Sequence, residues 1–287
     1  MDAGRPASLI SALLGLQEDG LFECDLSGGG LCGPDRNGFV TAQVLRALGP
    51  KGRALLGPRA HGEAFDALAA CRNPLTGGFR FWPMGRRPDW APDLPDDSDD
   101  TSLMAVLLWR AGRISRDDLR RTACRTVVSH RLAATVQPGP AWPRVGAFKT
   151  WMRPGIAPDM VDCTVNANVL AMLAASGLRA VPGYADACSM IEDAVLWAGE
   201  DEDRAGTLSP LYPQAGELAL AVEAAVADGV KELRAVMAAM DVSPLWRVLR
   251  ARSCGAEPVV CGSPYGLVRW TSRAVGVARR IGGMSAA

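Results

Sequence analysis

Histidine and paired cysteines are what the 287-residue sequence has least of. Only His61 and His130 are present, and the eight cysteines, at 24, 32, 71, 124, 163, 188, 254 and 261, never form a CxxC pair. A zinc site of ordinary spacing is therefore not expected. Net charge is also missing: 31 Lys and Arg balance 31 Asp and Glu, so no overall field points to nucleic acid as a partner. Aromatic residues amount to 6%, β-branched runs are few, and no strand-like alternation lasts beyond a few residues, so helices should dominate. Apolar runs such as Leu103 to Trp109 are too short to cross a bilayer. Ala7 to Leu16 is too short, and too weakly charged upstream, for a secretory signal. The expected location is cytoplasmic, with at most peripheral membrane contact. Cys71, Cys124 and Cys188 sit in apolar helical patterns and are expected as reduced core thiols.

What is present is a large apolar inventory, 48% of the chain, built mainly from Ala, Leu and Val. Gly and Pro gather between helical stretches, and no Gly/Ser or Pro-rich linker divides the chain, so residues 1–287 are read as one domain. Periodicity and breakers predict helices near 6–18, 38–48, 60–72, 99–111, 116–135, 162–176, 184–198, 214–226, 229–241 and 264–281. Alternate helices, those starting near 38, 100, 162, 214 and 264, are rich in small apolar residues, and their partners carry more charge. That pattern predicts an inner and an outer layer recurring every fifty to sixty residues. The expected class is all-α, a double-layered (α/α)6-type barrel or an open, incomplete version of one.

Residues 77–112 carry the chemistry: GGFRFWPMGRRPDWAPDLPDDSDDTSLMAVLLWRAG. Pro92 and Pro95 keep the chain extended until Asp96, which places Asp96, Asp97, Asp99 and Asp100 at the start of an inner helix. Capping explains one or two acids there, with Asp97 as N-cap and Asp100 at N3. Four acids in five positions repel one another unless a proton, a metal or a cation relieves them, and such clusters are more often functional.

Two chemistries can use the cluster. Asp97-Ser98-Asp99-Asp100-Thr101 matches the DxDDT motif of class II terpene cyclases, and Gly77-Gly78-Phe79-Arg80-Phe81-Trp82 resembles their glycine and aromatic strips. The resemblance implies an (α/α) barrel like the β domain of that family, with Asp99 protonating an alkene or epoxide of a polyprenyl chain. Asp97, Asp100 and Thr101 would support the acid. No cofactor is required for protonation; Mg2+ would enter if the substrate carries a diphosphate. The cation that forms needs aromatic faces, and Phe79, Phe81, Trp82, Trp90, Trp142, Trp151 and Trp270 are the supply, with core packing the bland alternative for about half of them. Asp96-Asp97-x-x-Asp100 also satisfies the DDxxD pattern of magnesium-dependent class I terpene synthases. Their second metal motif is absent from 214–241, where Glu217 and Glu223 lack its spacing. Asp162-Cys163 is only loosely similar to the zinc ligands of protein prenyltransferase β subunits, which also need a histidine near the chain's end.

Two further regions are candidates. In the family a polar side chain on a neighbouring inner helix bonds the acid, and Asn166 or Asn168 can take that part; the alternative for both is capping loop carbonyls. Arg269, Arg273, Arg279 and Arg280 fall in the last predicted helix with Trp270. Arg269 and Arg273 at i, i+4 suit a diphosphate, anionic lipid or a partner, against the commoner solvated face. The implied ligand is an isoprenoid. Because class II cyclases usually place their cavity between two barrels, self-association or a partner subunit is an expected way to complete the site. A different class of reading is a barrel that binds an isoprenoid or a protein without turnover.

Overall fold

The computed structural model describes residues 4–135, 139–153 and 160–286. Helix α1 (Gly4–Leu14) leads into a meander of β1 (Gln17–Glu18), β2 (Leu21–Gly28) and β3 (Leu31–Arg36). Asp19 and Gly20 both have positive φ, 50° and 79°, as the tight turn between β1 and β2 requires. Next come α2 (Gly38–Ala54), bent at Gly49-Pro50, and α3 (Gly57–Ala70). The extended 71–97 segment delivers the chain to α4 (Ser98–Arg110). They are followed by α5 (Arg116–Thr122), α6 (Cys163–Ser176), α7 (Tyr184–Ala198), α8 (Glu202–Thr207), α9 (Gly216–Ala227), α10 (Arg234–Val242) and α11 (Pro244–Ser253). A hairpin of β4 (Val259–Gly262) and β5 (Arg269–Thr271) precedes α12 (Arg273–Ala286).

Helices α12, α2, α4, α6 and α9 pack side by side in that order as the inner layer. The most enclosed, α6, is buried on every side except at Ala175, and its sequence is apolar all round, as a surrounded helix must be. The outer helices lie against this arc: α1 on α12, α3 on α2 and α4, α5 on α4 and α6, α7 on α6, and α10 and α11 on α9. Arg279 of α12 and Glu217 of α9 join the two ends of the arc through a buried bidentate ion pair with N–O distances of 2.8 and 2.7 Å.

The all-α expectation is corrected by the sheet. Antiparallel pairings give the order β1-β2-β5-β4, with β3 on the other edge of β2, and β2 rests on α2, α3 and α12. The segment predicted as the start of a long last helix is instead β5, whose Arg269, Trp270 and Thr271 pair with Ser27, Leu26 and Asp25. Arg269 and Arg273 therefore belong to different elements and share no helix face. The helix predicted over 116–135 stops at Thr122, continues as one π-turn over 123–127, and ends before His130; Cys124 on that turn is exposed, not a core thiol. All eight cysteines are unpaired, and no described helix is long and apolar enough to cross a membrane.

Candidate active site

The site forms where three extended segments meet the N-terminus of α4. Phe79 and Trp151 bridge to Asp97 from either side, and Ser98 is held by the Thr150 carbonyl (N–O 2.8 Å) and the Lys149 carbonyl (Oγ–O 2.7 Å). Asp97 is the N-cap: its Oδ1 accepts the backbone amides of Asp99 (2.8 Å) and Asp100 (2.7 Å), a cap of about 1 kcal/mol. Gly38 must be glycine, because its amide donates to the Phe81 carbonyl at 2.8 Å and a Cβ there would meet Cys71 Sγ at 2.3 Å. That approach sets Phe81 beside the acids.

All four aspartates are buried. Asp96 faces away from the other three, accepting from Arg80 Nε (3.0 Å), Asn73 Nδ2 (3.0 Å) and the Thr76 hydroxyl. The DDxxD set therefore does not converge, and among the described residues no group of three or more His, Cys, Asp and Glu is placed to hold a metal ion. Burial pushes Asp97 up to about 7, against its hydrogen bonds with Asp100. Asp100 is raised well above the usual carboxylate range by burial and by the adjacent Asp97 charge, and its oxygens accept no hydrogen bond from a described donor. A proton held between these two carboxyls relieves both.

Asp99 is fixed differently. Its Oδ1 accepts from Asn168 Nδ2 at 2.7 Å and its Oδ2 from the Tyr212 hydroxyl. Arg46 Nη1 donates to Asn168 Oδ1 at 2.7 Å, which orients the amide so that only its NH2 faces Asp99. Burial raises Asp99, while Tyr212, Asn168 and Arg46 hold it down. Both Asp99 oxygens thus accept a hydrogen bond, and the carboxyl lines the open space in front of it.

That space is a pocket of about 860 Å³, mouth included. Asp97, Asp99 and Asp100 form one end, and among the described residues no Lys, Arg or His lines it. The walls are aromatic and aliphatic: Phe39, Phe81, Trp82, Trp90, Trp151, Tyr212 and Trp270, with Leu31, Leu94 and Val268. Phe39 and Phe81 stack at 5.7 Å, and Trp82 and Trp270 tilt against Phe81 at 4.6 and 5.2 Å.

Of the residues singled out in the sequence, the structure brings Asp97, Asp99, Asp100, Phe81, Trp82, Trp90, Trp151 and Trp270 to this pocket, and Asn168 onto the acid. Asn166 is corrected: its amide bonds the Phe148 backbone and the Asp162 carbonyl and does not reach Asp99. The two asparagines lie two positions apart, about 200° around α6, so only one can face α4. Thr101 accepts the Phe79 amide at 2.9 Å, which ties the approach segment to α4. Phe79 and Trp142 are core residues outside the pocket lining, and Arg269 bonds the Gly266 carbonyl on the wall of another groove. Sequence reasoning missed Tyr212, Arg46 and the β4–β5 hairpin.

No family model matches the chain, and no curated protein matches it. Among solved structures it is similar to a protein from Actinoplanes, at 18% identity and a TM-score of 0.52, over 96% of this chain and 74% of that one. It is also similar to type II terpene cyclase MstE from Scytonema without ligand, at 13% identity and a TM-score of 0.50, over 99% of this chain and 97% of that one. A single-substitution variant of MstE gives 13% identity and 0.51 over 97% and 94%. At these identities the likeness is one of architecture, and the chain has a type II terpene cyclase-like fold.

Proposed function

We propose that this chain is a terpene cyclase-like enzyme of the class II type, in which Asp99 protonates an alkene or epoxide of a polyprenyl substrate and the pocket guides the resulting cation into rings. The observation that carries the reading is Asp99 itself: a buried carboxyl, held on both oxygens by neutral donors, facing an aromatic-walled apolar pocket. The reaction class follows from the surroundings. A cation formed against Phe81, Trp82 and Trp270 meets π faces.

In the proton transfer, the π electrons of the substrate double bond take the Asp99 proton. Asp99 becomes a carboxylate whose charge is met by the Tyr212 and Asn168 donors, and the substrate becomes a tertiary cation that adds to its own next double bond. Loss of a proton from carbon, or capture of water, ends the sequence and closes the balance. Asp97 and Asp100 keep their shared proton nearby, and their negative charge draws the cation's formation toward this end. Because no basic side chain among the described residues lines the pocket, a diphosphate is disfavoured beside the three carboxyls. MstE, a type II terpene cyclase by its printed name, is covered over 97% of its length.

Incubation with squalene, farnesyl diphosphate and geranylgeranyl diphosphate, with and without chelator, tests the proposal. The expected result is a cyclic product that survives chelation and disappears in Asp99→Asn. Product lost only on chelation would reverse the assignment in favour of diphosphate ionisation. Binding without any product would make the chain an isoprenoid-binding protein.

A further inference from the structure

At the far side of the aromatic wall a further buried carboxylate has no part in the protonation. Asp35, at the end of β3, accepts the indole N–H of Trp270 at 2.8 Å and that of Trp82 at 3.1 Å. It also accepts the Arg36 backbone amide at 2.8 Å and Asn37 Nδ2 at 2.9 Å. Every one of these groups donates, so the Asp35 carboxyl meets them as an acceptor on both oxygens. No ion pair involves it among the described residues, since the Arg36 guanidinium goes to Glu23 and Glu18. A neutral amide would leave one pair of these donors facing its own NH2, so a carboxylate suits them better, and no described ion pair balances the charge it would bury.

We propose that Asp35 is the counter-charge of a cation site, a positioning residue whose negative charge acts through Trp82 and Trp270 on positive charge held in the pocket. The chemistry is direct. A carboxylate at the N–H edge of an indole pushes electron density into the ring and strengthens the attraction of its face for a cation. Both rings line the pocket while Asp35 does not. The charge is thus felt across the rings, and the Asp35 oxygens themselves are not open to a carbocation in the pocket. Phe81 against both tryptophans, and Trp90 against Trp82 at 5.8 Å, complete an aromatic box. The ligand class is a compact apolar cation, a tertiary carbocation in turnover or a quaternary ammonium at equilibrium. This assignment rests on the cyclase reading for the identity of the cation, and its test requires no turnover.

Octyltrimethylammonium and its uncharged carbon isostere 2,2-dimethyldecane are titrated into the protein, read by tryptophan fluorescence. The wild type is expected to prefer the ammonium, and Asp35→Asn to lower that preference about tenfold while the hydrocarbon binds as before, with Asp35→Glu restoring part of it. Equal weakening of both ligands would reduce Asp35 to a structural role and overturn the proposal, as would a wild type with no preference. Asp99→Asn decides the matter even if Asp35→Asn does not fold. A preference that persists there supports the box, and one that vanishes assigns the cation to the acid cluster instead. A protein that shows the expected pattern yet cyclises no isoprenoid would refute the cyclase reading alone.

Discussion

Asp97 and Asp162 begin two neighbouring inner helices in the same way and end in different roles. Each is a buried N-cap whose carboxylate accepts two backbone amides of its first turn, those of Asp99 and Asp100 for Asp97 and those of Thr164 and Val165 for Asp162. Burial pushes both up to about 7. The Asp162 carboxylate is also met by the Leu211 amide at 3.1 Å, and it lines no described pocket. The Asp97 cap instead shares its turn with two more carboxyls and opens onto aromatic walls. Capping and a raised pKa are therefore properties of acidic helix starts in an apolar interior. Reactivity needs a surplus acid and somewhere for its proton to go.

The strongest way to break this comparison is to neutralise one acid on each helix. Asp99→Asn should lower cyclisation by about 10²–10⁴-fold, the range for loss of a general acid, with little change in melting temperature because the substitution is isosteric. Asp162→Asn should cost about 1 kcal/mol of stability as a weakened cap and leave turnover per folded molecule within a few-fold. Single-turnover rates beside thermal melts would read both. Equal rate losses at unchanged stability would remove the distinction between the caps.

The pH response sharpens the same contrast. A carboxyl whose folded pKa is about 7 against an ordinary 3.8 binds its proton more tightly folded than unfolded. Its contribution to stability is thus complete below about 4 and lost as pH rises toward about 7. Both helices should contribute to that decline in denaturant titrations, and Asp162→Asn should shrink it. Activity should depend on the α4 cluster alone, falling up to about tenfold per unit once pH rises through the raised pKa of its acids. An activity limb that moved in Asp162→Asn would contradict this.

The acid turn was legible because its signals are local: prolines holding the chain extended, then acids, then a helical run. The layers were legible from composition. What escaped depended on distant partners. Phe22, Cys24 and Leu26 alternate with Glu23 and Asp25 behind an Asp19-Gly20 turn, a readable strand whose brevity hid it; β5, only three residues long, becomes a strand by pairing with β2 more than 240 positions earlier. Tyr212 sits in a loop without periodicity, and its role exists only because α9 brings that loop over α4. Asn166 and Asn168 were both visible as polar residues on an apolar helix, but their facing could be settled only by the packing of α6 on α4. Asn168→Ala should therefore lower the rate about tenfold or more, as loss of a hydrogen bond to a charged group, whereas Asn166→Ala should cost about 1–3 kcal/mol of stability by stranding the Phe148 backbone.

The smallest expected effect is the most diagnostic of how Asp99 is tuned. Tyr212→Phe keeps the ring that lies 6.1 Å from Phe39 and removes only the hydroxyl donated to Asp99. That donor stabilises the carboxylate and lowers the acid's pKa, so its loss raises Asp99 further and makes it a weaker acid. The maximal rate should fall by up to about tenfold, while the alkaline limb shifts to higher pH because the proton is held more tightly. A structural defect would lower the rate without moving the limb, and a tyrosine acting as the proton donor itself would abolish turnover. A reduced rate together with an upward-shifted limb fits only a hydroxyl that tunes Asp99.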